Sequence, residues 1–168
     1  MQTPLETTTD PAAAVEQAIK AALPDGRGFD AWRAFLRAHA TLMRELATDL
    51  ALKSHLALGD FDVLAQLAAA GGELRMTDLA TKVFSSRSAM TRRVDRMIDE
   101  ELVRRARSGA DAREVVIALT PAGLTRLIEA VPVHLAGVSA LFIERLDDDE
   151  LAVLERALSR VSRDCSFG

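Results

Sequence analysis

The sequence predicts a mainly α (α+β) protein in which several helices surround one short β-hairpin. Hydrophobic residues make up 49% of the chain and aromatic residues only 4%. Most of the hydrophobic residues are Ala and Leu, which favour helices, and they recur at helical spacing in several segments. Two short predicted strands, 102–106 and 115–119, flank a polar turn that contains glycine, a pattern typical of a hairpin.

The size and composition exclude several classes of protein. A chain of 168 residues fits one domain, or one core that carries dimerising arms. No apolar run reaches the roughly 20 residues that span a bilayer, and the N-terminus lacks the basic-then-apolar pattern of a signal peptide. The single cysteine, Cys165, excludes an internal disulfide framework. We therefore expect a cytoplasmic protein.

The charge is distributed unevenly along the chain. The net charge is −4, yet residues 74–113 contain ten Lys/Arg and six Asp/Glu, a local excess of +4. The other residues contain eleven Lys/Arg and nineteen Asp/Glu, which gives −8. A local excess of positive charge attracts phosphates within a Debye length of about 10 Å. A solvated charged surface without a partner is the alternative interpretation.

An N-terminal extension and two helices are predicted before the basic segment. The extension covers residues 1–28, and within it Asp10-Pro11 provides a cap and a first-turn proline for a short helix over 11–23. Asp30 is predicted to cap a long helix that ends at about residue 52. A further helix is predicted over roughly 60–70, before a pair of glycines.

The basic segment has the order strand, helix, helix and hairpin. Residues 74–76 are predicted to form the strand, and Thr77 to cap a short helix that ends at Val83. After a turn, the next helix runs over 87–100. It carries one apolar stripe that is expected to face the core, formed by Met90, Val94, Met97 and Ile98.

Two more helices are predicted after the hairpin. Thr120 is a favourable N-cap and Pro121 suits the first position of a long helix that ends at about residue 146. Pro132 should kink this helix because it removes a backbone hydrogen bond. The acidic run 147–149 places negative charge at the positive end of the last helix.

Six short motifs resemble the MarR family of bacterial transcription regulators. Their combined order and spacing are specific, although each motif alone is common. The resemblance implies a winged helix-turn-helix domain over 56–120, with helices over 29–55 and 121–163 that form a homodimer. The motifs are Leu79-Ala80, Ser86-Arg87-Ser88, Thr91-Arg92-Arg93-Val94-Asp95-Arg96, Leu102-Val103-Arg104-Arg105, Asp111-x-Arg113 and Leu119-Thr120-x-x-Gly123.

The resemblance implies that helix 87–100 enters the major groove of double-stranded DNA, while the hairpin, or wing, reaches the minor groove. Arg92 would fork onto guanine, Arg113 would enter the narrowed minor groove, and Asp111 would orient Arg113. An ordinary amphipathic surface helix is the alternative. The expected DNA-binding residues are Arg75, Ser86, Arg87, Ser88, Thr91, Arg92, Arg107, Asp111 and Arg113.

Two positions depart from the family pattern. Glu101 stands where the family usually has glycine, so either Glu101 is strained or the helix ends differently and shifts the wing. The wing reads Asp-Ala-Arg, where a second basic residue is common. Of the strand residues Arg104 and Arg105, one is expected to be structural because strand side chains alternate between faces.

The family resemblance also implies a small aromatic or anionic effector that releases DNA. The candidate effector residues are Trp32, Phe35, His39, Phe61 and His134, and plain core packing is the alternative for each aromatic. The histidines lack the spacing of zinc ligands. We find no metalloprotease helix, phosphate-binding glycine loop or nucleophile elbow, so we expect neither an enzyme nor a cofactor.

Taken together, these patterns predict a sequence-specific, ligand-responsive repressor that binds a pseudo-palindromic operator as a homodimer. Two alternatives remain open at this point. One is a winged-helix module that binds proteins and not DNA, and the other is an enzyme that uses the same scaffold to bind a small molecule.

Overall fold

The computed structural model describes residues 10–23, 25–107 and 115–164. The chain divides into two compact units, residues 1–41 and residues 42–168. Most of the described residues are helical, and three short strands form one antiparallel sheet. The predicted fold class is therefore confirmed.

The first unit contains helix α1, Pro11–Ala22, and the beginning of helix α2, Phe29–Ser54. The carboxylate of Asp10 accepts a hydrogen bond from the Ala12 N–H at 3.0 Å, as expected for the cap of a proline-started helix. Asp30 does not cap α2 as predicted, because α2 already begins at Phe29. Asp30 lies in the first turn, where its charge still favours the helix dipole.

The second unit contains the rest of α2 and all the other elements. The three strands have the order β1-β3-β2, so β3 lies in the centre. The N-terminal strand of the unit was predicted at 74–76 and is found one residue earlier. The elements are α3 (Leu58–Ala69), β1 (Glu73–Arg75), α4 (Met76–Lys82), α5 (Arg87–Asp99), β2 (Val103–Arg107), β3 (Val115–Leu119), α6 (Pro121–Leu141) and α7 (Asp148–Asp164).

Two further element boundaries differ from the prediction. Helix α4 begins at Met76, with Arg75 in the cap position, so Thr77 lies inside the helix and is not its cap. Extended backbone at Arg75 fixes the start of α4, since β1 leads directly into it. Helix α6 continues through Pro132 and ends at Leu141, and a single 3₁₀ turn occupies the residues that were predicted to extend it.

The core of the second unit lies between α3, α4, α5 and the sheet. The predicted stripe of α5 is confirmed, since Met90, Val94 and Met97 are fully buried and Ile98 is packed beside them. These side chains meet fully buried residues of the neighbouring elements, namely Leu50, Val63, Leu64, Leu67, Leu79 and Ile117. Burial of this cluster holds α5 against the sheet and leaves its other face outside.

The acidic run before α7 forms a reciprocal cap. The carboxylate of Asp147 accepts from the Glu150 N–H at 2.8 Å, and the carboxylate of Glu150 accepts from the Asp147 N–H at 3.0 Å. The pattern is a capping box, with two otherwise unpaired N–H groups satisfied at once.

As expected, α6 is not an unbroken apolar run, since Arg126 and Glu129 lie within it. The segment Pro121–Arg145 nevertheless meets the criteria of length and composition for a helix that crosses a membrane. Those criteria do not separate a membrane span from the core helix of a soluble protein. Within the segment, the Arg126 guanidinium donates hydrogen bonds to the carbonyl oxygens of Ser54 and His55, at the end of α2.

The start of α6 is fastened to the end of α5 and the beginning of β2. The Thr120 hydroxyl lies 2.7 Å from the carbonyl oxygen of Glu101 and 2.9 Å from that of Leu102, and it accepts from the Gly123 N–H at 2.9 Å. A Cβ atom at position 123 would overlap the Leu102 carbonyl oxygen. The Leu-Thr-x-x-Gly motif is therefore explained by a close approach of two backbones.

We expect Gly123→Ala to lower the free energy of unfolding by about 2–3 kcal/mol, since the added methyl meets backbone that cannot move aside. Chemical denaturation followed by circular dichroism measures this loss. Gly137→Ala is the matched control in the same helix, because its new methyl would meet side chains and not backbone, Leu46 at 2.8 Å and Asp49 at 3.8 Å. Equal losses in the two variants would contradict the close-approach argument.

Candidate nucleic-acid interface

The N-terminal end of α5 presents a polar, cationic surface. The Ser86 hydroxyl caps the helix by accepting from the Ala89 N–H at 3.3 Å, and it lies 3.4 Å from the Ser88 hydroxyl. Arg87, Ser88 and Arg92 are exposed. Within the described part of the chain, neither Arg87 nor Arg92 forms an ion pair. Both guanidinium groups therefore remain available to a ligand of opposite charge.

Two further predicted contact residues lie beside this surface. Thr91 is half-buried, and its hydroxyl donates to the Arg87 carbonyl oxygen at 3.0 Å. Arg75 is exposed at the end of β1. A cleft of about 400 Å³ lies at this surface, and it is lined by Arg75, Met76, Thr77, Arg87, Thr91, Arg105 and Val115.

The arginines of strand β2 are held by carboxylates. Arg104 reaches across the central strand to Glu73 of β1 at 3.4 Å, and Arg105 contacts Asp95 of α5 at 2.6 Å. The sequence led us to expect that one of these two arginines is structural. Both have an acidic partner, because β2 has neighbours on both of its faces.

The tip of the wing lies outside the described residues. Asp111 and Arg113 both fall in that segment, and Arg107 is described only as the last backbone position of β2. Their assignment to DNA contacts therefore stays a prediction. Strands β2 and β3 pair in register from Val103↔Leu119 to Arg107↔Val115, which places Arg107 and Val115 side by side at one end of the sheet.

A buried carboxylate fixes the orientation of α5. Asp60, in the first turn of α3, is only 4% exposed. The Arg96 guanidinium contacts its two carboxylate oxygens at 2.5 and 2.6 Å, and Arg93 contacts one of them at 3.2 Å. Gly59 makes room for this arrangement, since a Cβ atom there would overlap the Arg93 guanidinium. The sequence interpretation missed this cluster.

A signal for the cluster was present in the sequence. Arg93 and Arg96 are three residues apart, so they share one side of α5 next to the buried stripe. An arginine at the edge of an apolar stripe needs an acidic partner on the element packed against it. Asp60 directly precedes the first buried apolar residue of α3, Phe61, and is the carboxylate that pairs with both arginines.

The end of α5 resolves the question raised by Glu101. Glu101 has a φ of 59°, in the left-handed region. Its N–H donates to the Ile98 carbonyl at 2.9 Å, and the Leu102 N–H donates to the Met97 carbonyl at 2.9 Å. These two bonds define the Schellman termination that glycine usually completes. Glu101 therefore adopts the strained conformation, and the helix ends in the usual way.

The candidate effector residues fall into two groups. In the first unit, Trp32, Phe35 and His39 follow one another along α2, with ring centroids 6.0 and 6.2 Å apart. In the second unit, the rings of Phe61 and His134 lie 4.5 Å apart. Phe61 is buried in the core, which agrees with the packing alternative. An effector role for these five residues stays a prediction.

One carboxyl beside the second group is electrostatically perturbed. Loss of solvation raises the pKa of Asp62, and the positive charges of His134 and Arg93 oppose that rise. Among the described residues, no group of three or more His, Cys, Asp or Glu side chains is placed to hold a metal ion.

The fold and the exposed face of α5 define a class of protein. Helices α4 and α5 form a helix-turn-helix, and the antiparallel strands β2 and β3 form the wing that follows it. The chain is a winged helix-turn-helix protein.

Comparisons with known proteins give the family. A model of the MarR family matches residues 56–114. AbsC, a MarR family transcriptional regulator from Streptomyces coelicolor, is 32% identical and has a TM-score of 0.74, with 80% of this chain and 90% of that chain covered. Sco3205, a MarR family regulator from the same organism solved in complex with DNA, is 25% identical with a TM-score of 0.77, covering 82% and 87%. The chain belongs to the MarR family.

One similar protein is matched over a shorter region. YsmB of Bacillus subtilis, an HTH-type transcriptional regulator, is 31% identical over 93 residues. The matched region covers 55% of this chain and 63% of YsmB.

We expect Asp60→Asn to lower the free energy of unfolding by roughly 2–3 kcal/mol. The substitution leaves the guanidinium groups of Arg93 and Arg96 without an ionic partner. Because both guanidinium groups are partly exposed to water, the loss should be smaller than for a fully buried ion pair. Urea denaturation measures the change. Glu73→Gln is the control, because its pair with Arg104 is exposed on both sides and should contribute less than about 1 kcal/mol.

Proposed function

We propose that this MarR family protein binds double-stranded DNA with sequence preference, as a homodimer, and represses transcription. The observation that carries the proposal is the division of the arginines around α5. Arg93, Arg96 and Arg105 are held by Asp60 and Asp95, whereas the two arginines nearest the N-terminus of the helix have no acidic partner in the described chain. Unpaired, exposed guanidinium groups at this end suit a polyanion.

The proposed contacts follow the order of residues along α5. The N-terminus of the helix, capped by Ser86, would face a phosphate with its positive end. Arg92 would present its planar fork to the N7 and O6 acceptors of a guanine in the major groove. Ser88 and Thr91 would contact phosphate or base edges beside it, and Arg87 would contact the backbone.

The wing would supply the second part of the interface. Arg113 is proposed to enter the minor groove, where a narrow A·T-rich groove concentrates negative potential. Asp111 would orient it, and Arg75 and Arg107 would contact phosphates. The solved complex of Sco3205 with DNA supports the general mode of binding, since that protein shares the fold and a quarter of the aligned residues.

The proposed dimer explains apolar surface that the second unit leaves uncovered. A monomeric protein rarely exposes many large apolar side chains together, and such a surface usually marks an interface. A second copy related by a twofold axis would cover these side chains and would place two recognition helices about one turn of DNA apart, which requires a pseudo-palindromic operator. The exposed residues are Leu124, Ile128 and Leu135 of α6 and Val153, Leu158 and Val161 of α7.

The regulatory step we propose is release of the operator when a small aromatic or anionic molecule binds. Two groups each support this proposal separately, the rings of Trp32, Phe35 and His39 along α2 and the contact between Phe61 and His134. Aromatic faces and an imidazole suit such a molecule.

Selection of duplexes from a random pool, followed by fluorescence anisotropy, tests the proposal as a whole. We expect one enriched pseudo-palindrome, binding that weakens steeply as salt rises, and a sedimenting species of twice 18.2 kDa. A monomer, or a protein that enriches no sequence at low ionic strength, would refute the proposed function.

We expect Arg92→Ala to weaken binding of the selected duplex by about 1–3 kcal/mol and to relax the preference at one base pair in each half-site. Anisotropy titrations against duplexes changed at single positions measure both effects. Arg44→Ala removes the same charge from an exposed pair on α2 and should leave the base preference intact.

Arg113→Ala should instead weaken the binding of all duplexes to a similar extent. If Arg92→Ala and Arg113→Ala both removed the preference for the same base pair, the separate roles of these two residues would be contradicted.

A further inference from the structure

The turn between α4 and α5 exposes a phenylalanine. The side chain of Phe84 is 91% exposed, which exceeds the exposure of every other large hydrophobic residue in the described chain. Its backbone has a φ of 50°, a left-handed conformation that glycine or asparagine adopts more readily. With regard to folding, the position therefore carries two unfavourable features, an exposed ring and a strained backbone.

The backbone that carries the ring is held in place by two hydrogen bonds. The Phe84 N–H donates to the Thr81 carbonyl at 3.2 Å, and the Ser85 N–H donates to the Ala80 carbonyl at 2.9 Å. These bonds close a Schellman turn at the end of α4 and leave the backbone of Phe84 little freedom. An aromatic side chain on a fixed backbone binds a partner with little loss of conformational entropy.

The position of Phe84 favours DNA as that partner. Phe84 precedes by two residues the Ser86 cap of α5, and the N-terminal end of a recognition helix is the end that enters the major groove. Two exposed cations, Lys82 and Arg87, lie on either side of it in the chain. The two cations suit DNA phosphates, and the ring between them suits an apolar group on the DNA.

The apolar group available in the major groove is the C5-methyl of thymine. It is the feature of the base edges that an aliphatic or aromatic side chain recognises, and it separates a T·A pair from the other pairs. We propose that Phe84 contacts the C5-methyl of one thymine in each half-site and so adds a base preference that the polar residues of α5 do not supply. This inference rests on the proposed DNA binding.

Replacement of thymine by deoxyuridine tests the contact, because it removes only the methyl group. The probe is the duplex that the full-length parent protein selects from a random pool, with each thymine replaced in turn. We expect the parent to lose about three- to tenfold in affinity at one symmetry-related thymine, the effect of one buried methyl and its surroundings. Other thymines should be tolerated.

Two variants connect that loss to Phe84. Phe84→Gly and Phe84→Asn both accept the left-handed backbone, so neither should impair folding. Each should bind the thymine duplex three- to tenfold more weakly than the parent and should bind the thymine and uracil duplexes equally. Val15→Ala, at an exposed apolar side chain outside the proposed DNA-binding and dimer helices, should keep the sensitivity of the parent to uracil.

The outcomes separate this inference from the proposed function. If the parent binds its selected duplex but tolerates every uracil, or if the Phe84 variants keep the same uracil penalty, the thymine contact is wrong while DNA binding stands. If the parent binds no duplex, both fall together.

Discussion

The buried carboxylate of Asp60 is the constraint on which the rest of the interface depends. It lies almost fully out of water between α3 and α5 and receives two arginines from the same side of the recognition helix. A buried charge of this kind is tolerated only while its partners stay in place, so it specifies how α5 is rotated about its own axis. The apolar stripe packs α5 against the core. The pairing of Asp60 with Arg93 and Arg96 then fixes which polar residues of α5 face outward.

The arginines of the basic segment divide into two sets by this logic. Those with carboxylate partners build the module, since they connect α5 to α3, β2 to α5, and β2 to β1. Arg87 and Arg92, near the N-terminus of α5, have no acidic partner in the described chain. The net charge of a DNA-binding surface is therefore a poor guide to the number of phosphate contacts, because a carboxylate partner holds a paired arginine in place and offsets its charge.

Much of the fold was predictable from local signals, and the site was predictable only in part. Periodicity located α5 and its buried stripe, and the Thr-Pro pair located the start of α6 to the residue, because caps and periodicity are local. The Asp60 cluster was missed because it joins residues more than 30 positions apart, and the two arginines beside the apolar stripe do not by themselves identify their partner. The partners of Arg104 and Arg105 lie on other elements, Glu73 on β1 and Asp95 on α5, so the strand pattern alone could not identify them. Glu101 could be identified as anomalous, but its conformation required the backbone. The assignment of Asp111 and Arg113 to the wing tip stays a prediction.

The fastening of Thr120 to the carbonyl oxygens of Glu101 and Leu102 has a mechanical consequence. The hydroxyl joins the last turn of α5, the base of the wing and the first turn of α6 at one point, with no flexible linker between them. In the proposed dimer, a change in the spacing between the two copies of α6 would then move each copy of α5 and its wing as a rigid body. The distance between the two DNA half-sites that the dimer can bind would therefore depend on the Thr120 hydrogen bonds at the end of α5.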